Sequence, residues 1–295
     1  MTYSIVARDP ETGELGVAVQ SHWFSVGSVV PWARPGVGAV ATQATAEPAY
    51  GPRALALMEQ GVSAPDALQR LLAADPQRAH RQVALVDSDG RVAAHTGEQC
   101  MTFAGDIQSA GVSCQGNIMV SNAVWPAMLD AFAVAEGPLT RRLLAALEAA
   151  ERAGGDLRGR QSAAILVVPA GGEAWATVTS LRVEDHAEPL AELARLVRLQ
   201  EAYGLASAGD DRIAEGRHGE AAELFARACE LAPESAELRF WAGLGAAQTG
   251  DIEAALSWIQ PALDAHGGWS ELLRRLPPEL APGAPALRAR LAAPD

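Results

Sequence analysis

The stretch at residues 2–21, TYSIVARDPETGELGVAVQS, indicates how the fold begins. Residues 2–9 and 15–21 are rich in strand-forming residues, and the Pro- and Gly-containing link between them suits the turn of a hairpin. The start of the stretch is too polar and its apolar run too short for a signal peptide. The sequence therefore predicts a β-hairpin whose first strand starts at Thr2.

The strand and helix signals after residue 21 come in pairs. Strands are predicted at 36–44, on both sides of the Asp-Gly turn at 89–90, up to Asn117 and in two runs between 158 and 183; helices are predicted at 52–60, 64–73, 124–135 and 139–153. A doubly wound parallel sheet would alternate strand and helix one by one. The grouping instead favours an α+β fold with two packed sheets flanked by helices.

The strand signal ends near residue 185, and a helical pattern with an internal repeat replaces it. At a spacing of 34 residues, Gly209 recurs as Gly243 and Gly216 as Gly250. The first copy has the small and aromatic pattern of a tetratricopeptide repeat, carried by Ala221, Phe225, Ala228 and Pro233. The predicted domains are therefore residues 1–185 and a helical tetratricopeptide-like region at 186–295, with Ala221, Phe225 and Ala228 buried between helices.

The composition excludes several classes of function. The formal net charge of −13 argues against a nucleic acid or an anionic membrane as partner. The chain contains no lysine, which excludes a lysine base, a Schiff base and a P-loop. The three cysteines have no disulfide or zinc spacing, and no apolar run is long enough to span a membrane. We expect a cytoplasmic protein without metal or cofactor.

Polar clusters at the predicted strand ends supply the candidate site residues. His95 has no metal-type spacing to another ligand, and a structural role is the alternative for it. Asp156, Arg158 and Arg160 lie in a glycine-rich segment that could bind a carboxylate or phosphate. An internal salt bridge leading into a strand is the competing interpretation. The segment lacks a nucleotide-binding motif.

The segments TYSIVARDPETGELGVAVQS, VGAVATQA, HTG, QGN and AGGDLRGRQSAA, in this order, resemble the domain of unknown function numbered 1028. The resemblance covers residues 1–185. That family is placed among the N-terminal-nucleophile hydrolases, so the resemblance implies a four-layer αββα sandwich with Thr2 as nucleophile. The resemblance places Ser21 near the position at which proteasome-type members have an acidic residue that assists the nucleophile. Those members also use a lysine, which has no counterpart in this lysine-free chain.

Two functions remain open from the sequence. The first is an amidohydrolase that cleaves a C–N amide bond of a small metabolite. An anionic metabolite is one alternative for this substrate. After removal of Met1, the Thr2 amine would serve as base, because an N-terminal Thr carries its own proton acceptor. The second is a non-catalytic scaffold whose repeats recruit a protein partner. We expect a homo-oligomer in either case.

The residues predicted for the hydrolase have separate roles. Asn117, or a backbone N–H near it, would stabilise the oxyanion, and Ser21 would assist Thr2. We expect Thr2, Ser21, Gln43 and Asn117 to open on one pocket. The alternative for Thr2 is an ordinary β-branched strand residue. The predicted substrate-binding residues are Gln43, Arg81, His95, Asp156, Arg158 and Arg160.

Overall fold

The computed structural model describes residues 2–293 and contains, in that range, ten strands and ten α-helices. The strands are β1 (Thr2–Arg8), β2 (Leu15–Ser21), β3 (Pro31–Arg34), β4 (Gly38–Ala44), β5 (Arg81–Asp87), β6 (Val92–Thr96), β7 (Gly105–Ser109), β8 (Val112–Asn117), β9 (Ser162–Val168) and β10 (Thr179–Val183). The helices are α1 (Tyr50–Glu59), α2 (Ala64–Ala74), α3 (Val124–Val134), α4 (Leu139–Arg152), α5 (Pro189–Ala214), α6 (His218–Leu231), α7 (Ala236–Gln248), α8 (Ile252–Ala265), α9 (Gly267–Arg275) and α10 (Ala284–Ala292). The chain divides into two compact units, Met1–Arg195 and Leu196–Asp295.

The first unit contains both sheets. Six strands form one sheet in the order β10-β9-β2-β1-β8-β7, and four form the other in the order β3-β4-β5-β6. Every strand pair is antiparallel. The predicted α+β class, with two antiparallel sheets and a helical C-terminal region, is confirmed.

The two sheets of this unit contact each other, and each packs a helix pair on its other side. Strands β1 and β2 contact β4 across a buried cluster that includes Val6, Val17, Ala39 and Val86. Helices α1 and α2 pack on the four-stranded sheet, and α3 and α4 pack on the six-stranded one. Alternation along a strand explains this arrangement, because successive side chains face opposite sides of a sheet. The order of layers is therefore helices, sheet, sheet, helices.

Two strands of the structure are absent from the sequence prediction. Strand β3 begins at Pro31, and proline is a poor strand signal although it is tolerated at the first residue of a strand. Strand β7 is an edge strand with polar, partly exposed residues, so it lacks the apolar alternation by which strands are recognised. Strands β1, β2 and β4 and helices α1 to α4 lie within two residues of their predicted bounds, whereas β9 and β10 occupy only part of the two predicted runs between 158 and 183.

The second unit is helical throughout the part that the structure describes. The side chains of Ala221, Phe225 and Ala228 are buried, as the sequence predicts. Gly209 and Gly245 allow close approach to the Phe225 ring, because a Cβ at either position would lie 3.0 Å from a ring atom. A second buried cluster centres on Phe240 and Ile259. No helix in residues 2–293 is long and apolar enough to cross a membrane.

Candidate functional site

Thr2 is the first residue of β1 and is held by side chains from three other strands. The residue is buried, with 5% relative exposure. Thr2 Oγ1 donates a hydrogen bond to Ser21 Oγ at 3.1 Å. The Thr2 carbonyl accepts from Gln43 Nε2 at 3.2 Å and from Asn117 Nδ2 at 3.4 Å. The structure therefore brings Thr2, Ser21, Gln43 and Asn117 into contact, but only Thr2 and Gln43 line the cavity beside Thr2, because Ser21 and Asn117 are fully covered by their neighbours.

The strand register explains why these residues meet. Asn117, the last residue of β8, lies directly opposite Thr2 in the antiparallel pair of β1 and β8. Side chains directly opposite each other on neighbouring strands share one face of the sheet. Ser21 is the last residue of β2, the strand on the other side of β1. Gln43 comes from β4 in the facing sheet.

Gln82, on β5, connects these amides and was missed by the sequence reasoning. Gln82 Oε1 accepts from Gln43 Nε2 at 2.7 Å and from Asn117 Nδ2 at 2.9 Å. Its Nε2 donates to the carbonyl oxygens of Gly116 at 2.8 Å and Gly105 at 3.1 Å. The alternation of the strand could have indicated Gln82, because it shares with Ala84 and Val86 the face that turns toward the other sheet. A buried polar side chain on that face needs hydrogen-bond partners.

A cavity of about 450 Å³ borders Thr2. Its polar or charged lining residues are Thr2, Gln43 and Arg158. The remaining lining residues are apolar: Trp23, Val26, Val29, Val30, Ala44, Ala46 and Met101. A cavity of this size with few polar groups is typical of a small-molecule site.

Arg158 lines this cavity and forms an ion pair with Asp156, whose carboxylate is out of contact with solvent. The Asp156 side chain has 0% exposure, and its Oδ2 accepts from Arg158 Nη2 at 3.1 Å. The same carboxylate accepts from the backbone N–H of Arg158 at 2.9 Å and of His22 at 3.2 Å. Asp156 thus fixes the Arg158 side chain and ties the loop after β2 to the segment before β9.

Strained backbone is concentrated next to the cavity. Ser25, Ala44 and Ile118 are the non-glycine residues with positive φ in residues 2–293, at 55°, 68° and 55°. Ala44 lines the cavity, and Ile118 directly follows Asn117. Such conformations cost about 1–3 kcal/mol each and cluster at functional sites. They support the cavity beside Thr2 as the candidate site.

Three predicted substrate-binding residues lie away from this cavity and bond to other groups. Arg81 is buried and bonds Asp75 Oδ2 at 2.9 Å and the Thr45 carbonyl at 2.6 Å. His95 Nε2 lies 2.8 Å from the Arg78 carbonyl oxygen. Arg160 forms ion pairs with Glu151 at 3.1 Å and Glu188 at 2.6 Å. The sequence places His95 near the end of a predicted strand and Arg81 and Arg160 at or before the start of one, but it could not predict these pairings.

The comparisons with known proteins identify a family without an assigned activity. A family of unknown function (DUF1028) matches residues 2–193. A crystal structure of a Silicibacter pomeroyi protein assigned to the same family is 34% identical, with a TM-score of 0.62. The similarity covers 67% of this chain and 88% of that one. No curated protein matches the chain.

Proposed function

The chain belongs to the family of unknown function DUF1028, and we propose that it is an N-terminal-nucleophile amidohydrolase that uses Thr2. One observation carries this proposal: the Thr2 hydroxyl bonds Ser21 Oγ at the border of a 450 Å³ cavity. The order of layers in the first unit, helices, sheet, sheet, helices, is compatible with the αββα sandwich of that superfamily. The 34-residue spacing and buried Phe225 support a tetratricopeptide-like second unit.

The proposed reaction begins once removal of Met1 frees the Thr2 amine; Met1 lies outside the described residues. The Thr2 hydroxyl oxygen attacks the substrate carbonyl carbon while the α-amine accepts the hydroxyl proton. The tetrahedral intermediate then breaks its C–N bond, and the ammonium returns that proton to the leaving amine. Water, activated by the same amine, hydrolyses the remaining ester. A carboxylic acid leaves and Thr2 is restored.

The amide groups beside Thr2 support this chemistry by their fixed orientation. Gln82 Nε2 faces two backbone carbonyls, which can only accept, so Gln82 Oε1 must face Gln43 and Asn117. Both of those side chains therefore present their NH₂ groups toward Thr2. A preorganised donor near a developing oxyanion contributes about 3–4 kcal/mol to transition-state stabilisation. We assign this role to Asn117, whose Nδ2 would transfer its long 3.4 Å hydrogen bond from the Thr2 carbonyl to the oxyanion while keeping its bond to Gln82.

The decisive experiment combines intact-mass measurement with two substitutions at Thr2. The mass of the chain produced in its own host should correspond to a protein that begins at Thr2. An electrophilic acylating probe should form a hydroxylamine-sensitive ester on the side chain of residue 2 in the wild type and in Thr2→Ser. In Thr2→Ala it should form no such ester, because only a stable amide on the α-amine is then available. Retention of Met1 together with absence of the ester would refute the hydrolase and leave a binding protein.

A further inference from the structure

We propose that the cavity beside Thr2 selects an uncharged amide that carries at least one N–H and a bulky apolar acyl group. This inference rests on the proposed function for the position of the reacting carbonyl. It narrows the substrate from any small metabolite, including an anionic one, to one chemical class. Three independent features of the cavity support it: an unpaired acceptor, the apolar lining and the neutralised charge.

The unpaired acceptor is Gln43 Oε1. Gln43 is 1% exposed and lines the cavity, and its Oε1 has no hydrogen-bond partner in the part of the chain that the structure describes. Its Nε2 is committed to the Thr2 carbonyl and to Gln82 Oε1, both of which accept. The amide therefore cannot turn its oxygen toward them without opposing acceptor to acceptor. A buried acceptor of this kind calls for a donor, which an amide N–H supplies.

The apolar lining sets the character of the acyl group. Seven of the ten lining residues are apolar, and three of these are the valines at positions 26, 29 and 30. Trp23 and Met101 also line the cavity, although 62% and 65% of their surfaces remain exposed to solvent. Burial of such surface against an apolar ligand is favourable in proportion to the area removed from water.

Apolar exposure continues outside the lining on segments that are hydrogen-bonded to one another. Ile118 N–H bonds the Met101 carbonyl at 3.0 Å, and Leu157 N–H bonds the Ile118 carbonyl at 3.1 Å. Phe103 and Leu157, on these segments, are 40% and 63% exposed. Exposed apolar side chains grouped in this way mark binding surfaces. They extend the apolar character of the cavity to its surroundings.

The charge of the cavity argues against an anionic substrate. Arg158 is the charged residue among the lining residues, and the buried Asp156 carboxylate contacts its guanidinium at 3.1 Å. The pair is therefore close to neutral as a unit. Arg81 and Arg160, which could have added positive charge, bond Asp75 and Glu151 instead.

The test measures binding separately from turnover. Calorimetry with Thr2→Ala compares phenylacetamide, N,N-dimethylphenylacetamide, acetamide and succinamate. We expect phenylacetamide to bind about tenfold or more tightly than the other three, which lack the N–H, lack the apolar group or carry a charge. Trp23→Ala should weaken phenylacetamide binding about tenfold. Trp175→Ala is the matched control, because Trp175 is 80% exposed and does not line the cavity.

The possible outcomes separate this inference from the proposed function. Preference for succinamate, or equal binding of the dimethyl compound, overturns the inference even if succinyl anilides are hydrolysed. Tight phenylacetamide binding without hydrolysis of phenylacetyl anilide by the wild type supports the ligand class and overturns the hydrolase. Absence of binding by every probe overturns the inference. A change of oligomeric state in Trp23→Ala, measured by sedimentation, would then assign the exposed residues to contacts between copies.

Discussion

Asn117 Nδ2 donates to Gln82 Oε1 at 2.9 Å and also reaches the Thr2 carbonyl at 3.4 Å. One amide group thereby links the strand opposite Thr2 to the facing sheet. Because Gln82 is oriented by two backbone carbonyls, this link determines which atoms of Asn117 and Gln43 face the candidate nucleophile. The site thus depends on a residue that does not line its cavity.

Gln82→Leu should destabilise the first unit by about 3 kcal/mol, since each buried polar group left unpaired costs about 1–3 kcal/mol. The loss affects the Asn117 and Gln43 amides and the Gly116 carbonyl. Urea unfolding measures the change. Gln108→Leu is the matched control, because Gln108 is an exposed glutamine of β7 and its replacement should change stability by less than about 0.5 kcal/mol. Equal effects of the two substitutions would contradict the role given to Gln82.

Acetylation of the α-amine should abolish hydrolysis, because an acetylated amine cannot accept the Thr2 proton. The lysine-free sequence makes this experiment specific, since no side-chain primary amine competes with the α-amine for the acetylating reagent. Activity should rise with pH through about 8, where a terminal ammonium loses its proton. Phenylacetamide binding to the acetylated protein, measured in parallel, reports whether the cavity is intact. Full activity after complete acetylation, verified by mass, would exclude the amine as base.

Asp75→Asn should destabilise the protein by about 2 kcal/mol at neutral pH, because the buried Arg81 loses its charged partner. Burial raises the pKa of Asp75, but hydrogen bonds from Arg81, Gln77 and Tyr50 outweigh that effect and lower it below 3.8. A carboxyl with a depressed folded-state pKa adds stability above its unfolded pKa of about 3.9 and loses it as pH falls through the folded value. The difference from wild type should therefore shrink in strong acid. Unfolding curves across this range would contradict the prediction if the difference stayed constant.

Gly51→Ala should destabilise the first unit by about 2 kcal/mol although alanine favours a helix. A Cβ at Gly51 would lie 2.2 Å from Trp32 Cγ, and the indole is anchored by its Nε1–H to the Val29 carbonyl at 2.9 Å. Overpacking costs about 1–3 kcal/mol and outweighs a helix gain of about 1 kcal/mol or less in the first turn. Gly204→Ala, where a Cβ meets nothing within 4 Å, should instead stabilise by about 1 kcal/mol. Thermal unfolding of both variants gives the comparison.

The sequence predicts those parts of the fold whose causes are local. The hairpin of β1 and β2, the Asp-Gly turn with Gly90 at φ 81° and the helix start at Ser63 follow from residue types a few positions apart. Strand β7 escapes prediction because its polar residues are stabilised by pairing with β8, a partner the local pattern does not reveal.

The candidate site is predictable only in part for the same reason. Thr2 begins β1, and Ser21 and Asn117 end the two neighbouring strands. Antiparallel pairing therefore brings all three residues to the same end of the sheet. Arg81 and Arg158 both precede strands in the sequence, but Arg81 pairs with Asp75 at the end of α2, whereas Arg158 pairs with the buried Asp156 and lines the cavity. Gln82 sits in an otherwise apolar run, and its importance depends on three strands that are distant in sequence.

The layer between the two sheets changes from apolar to polar along its length, and this affects how the sheets could slide. The contacts around Val6, Val17 and Val86 are non-directional, so they fix the lateral position of one sheet over the other only through the fit of their shapes. The hydrogen bonds of Gln43 to the Thr2 carbonyl and of Gln82 to Gly116 are directional and fail when displaced by an ångström. The lateral alignment of the sheets is therefore set at the Thr2 end, so a substitution at Val6, Val17 or Val86, none of which lines the cavity, should leave the alignment beside Thr2 in place.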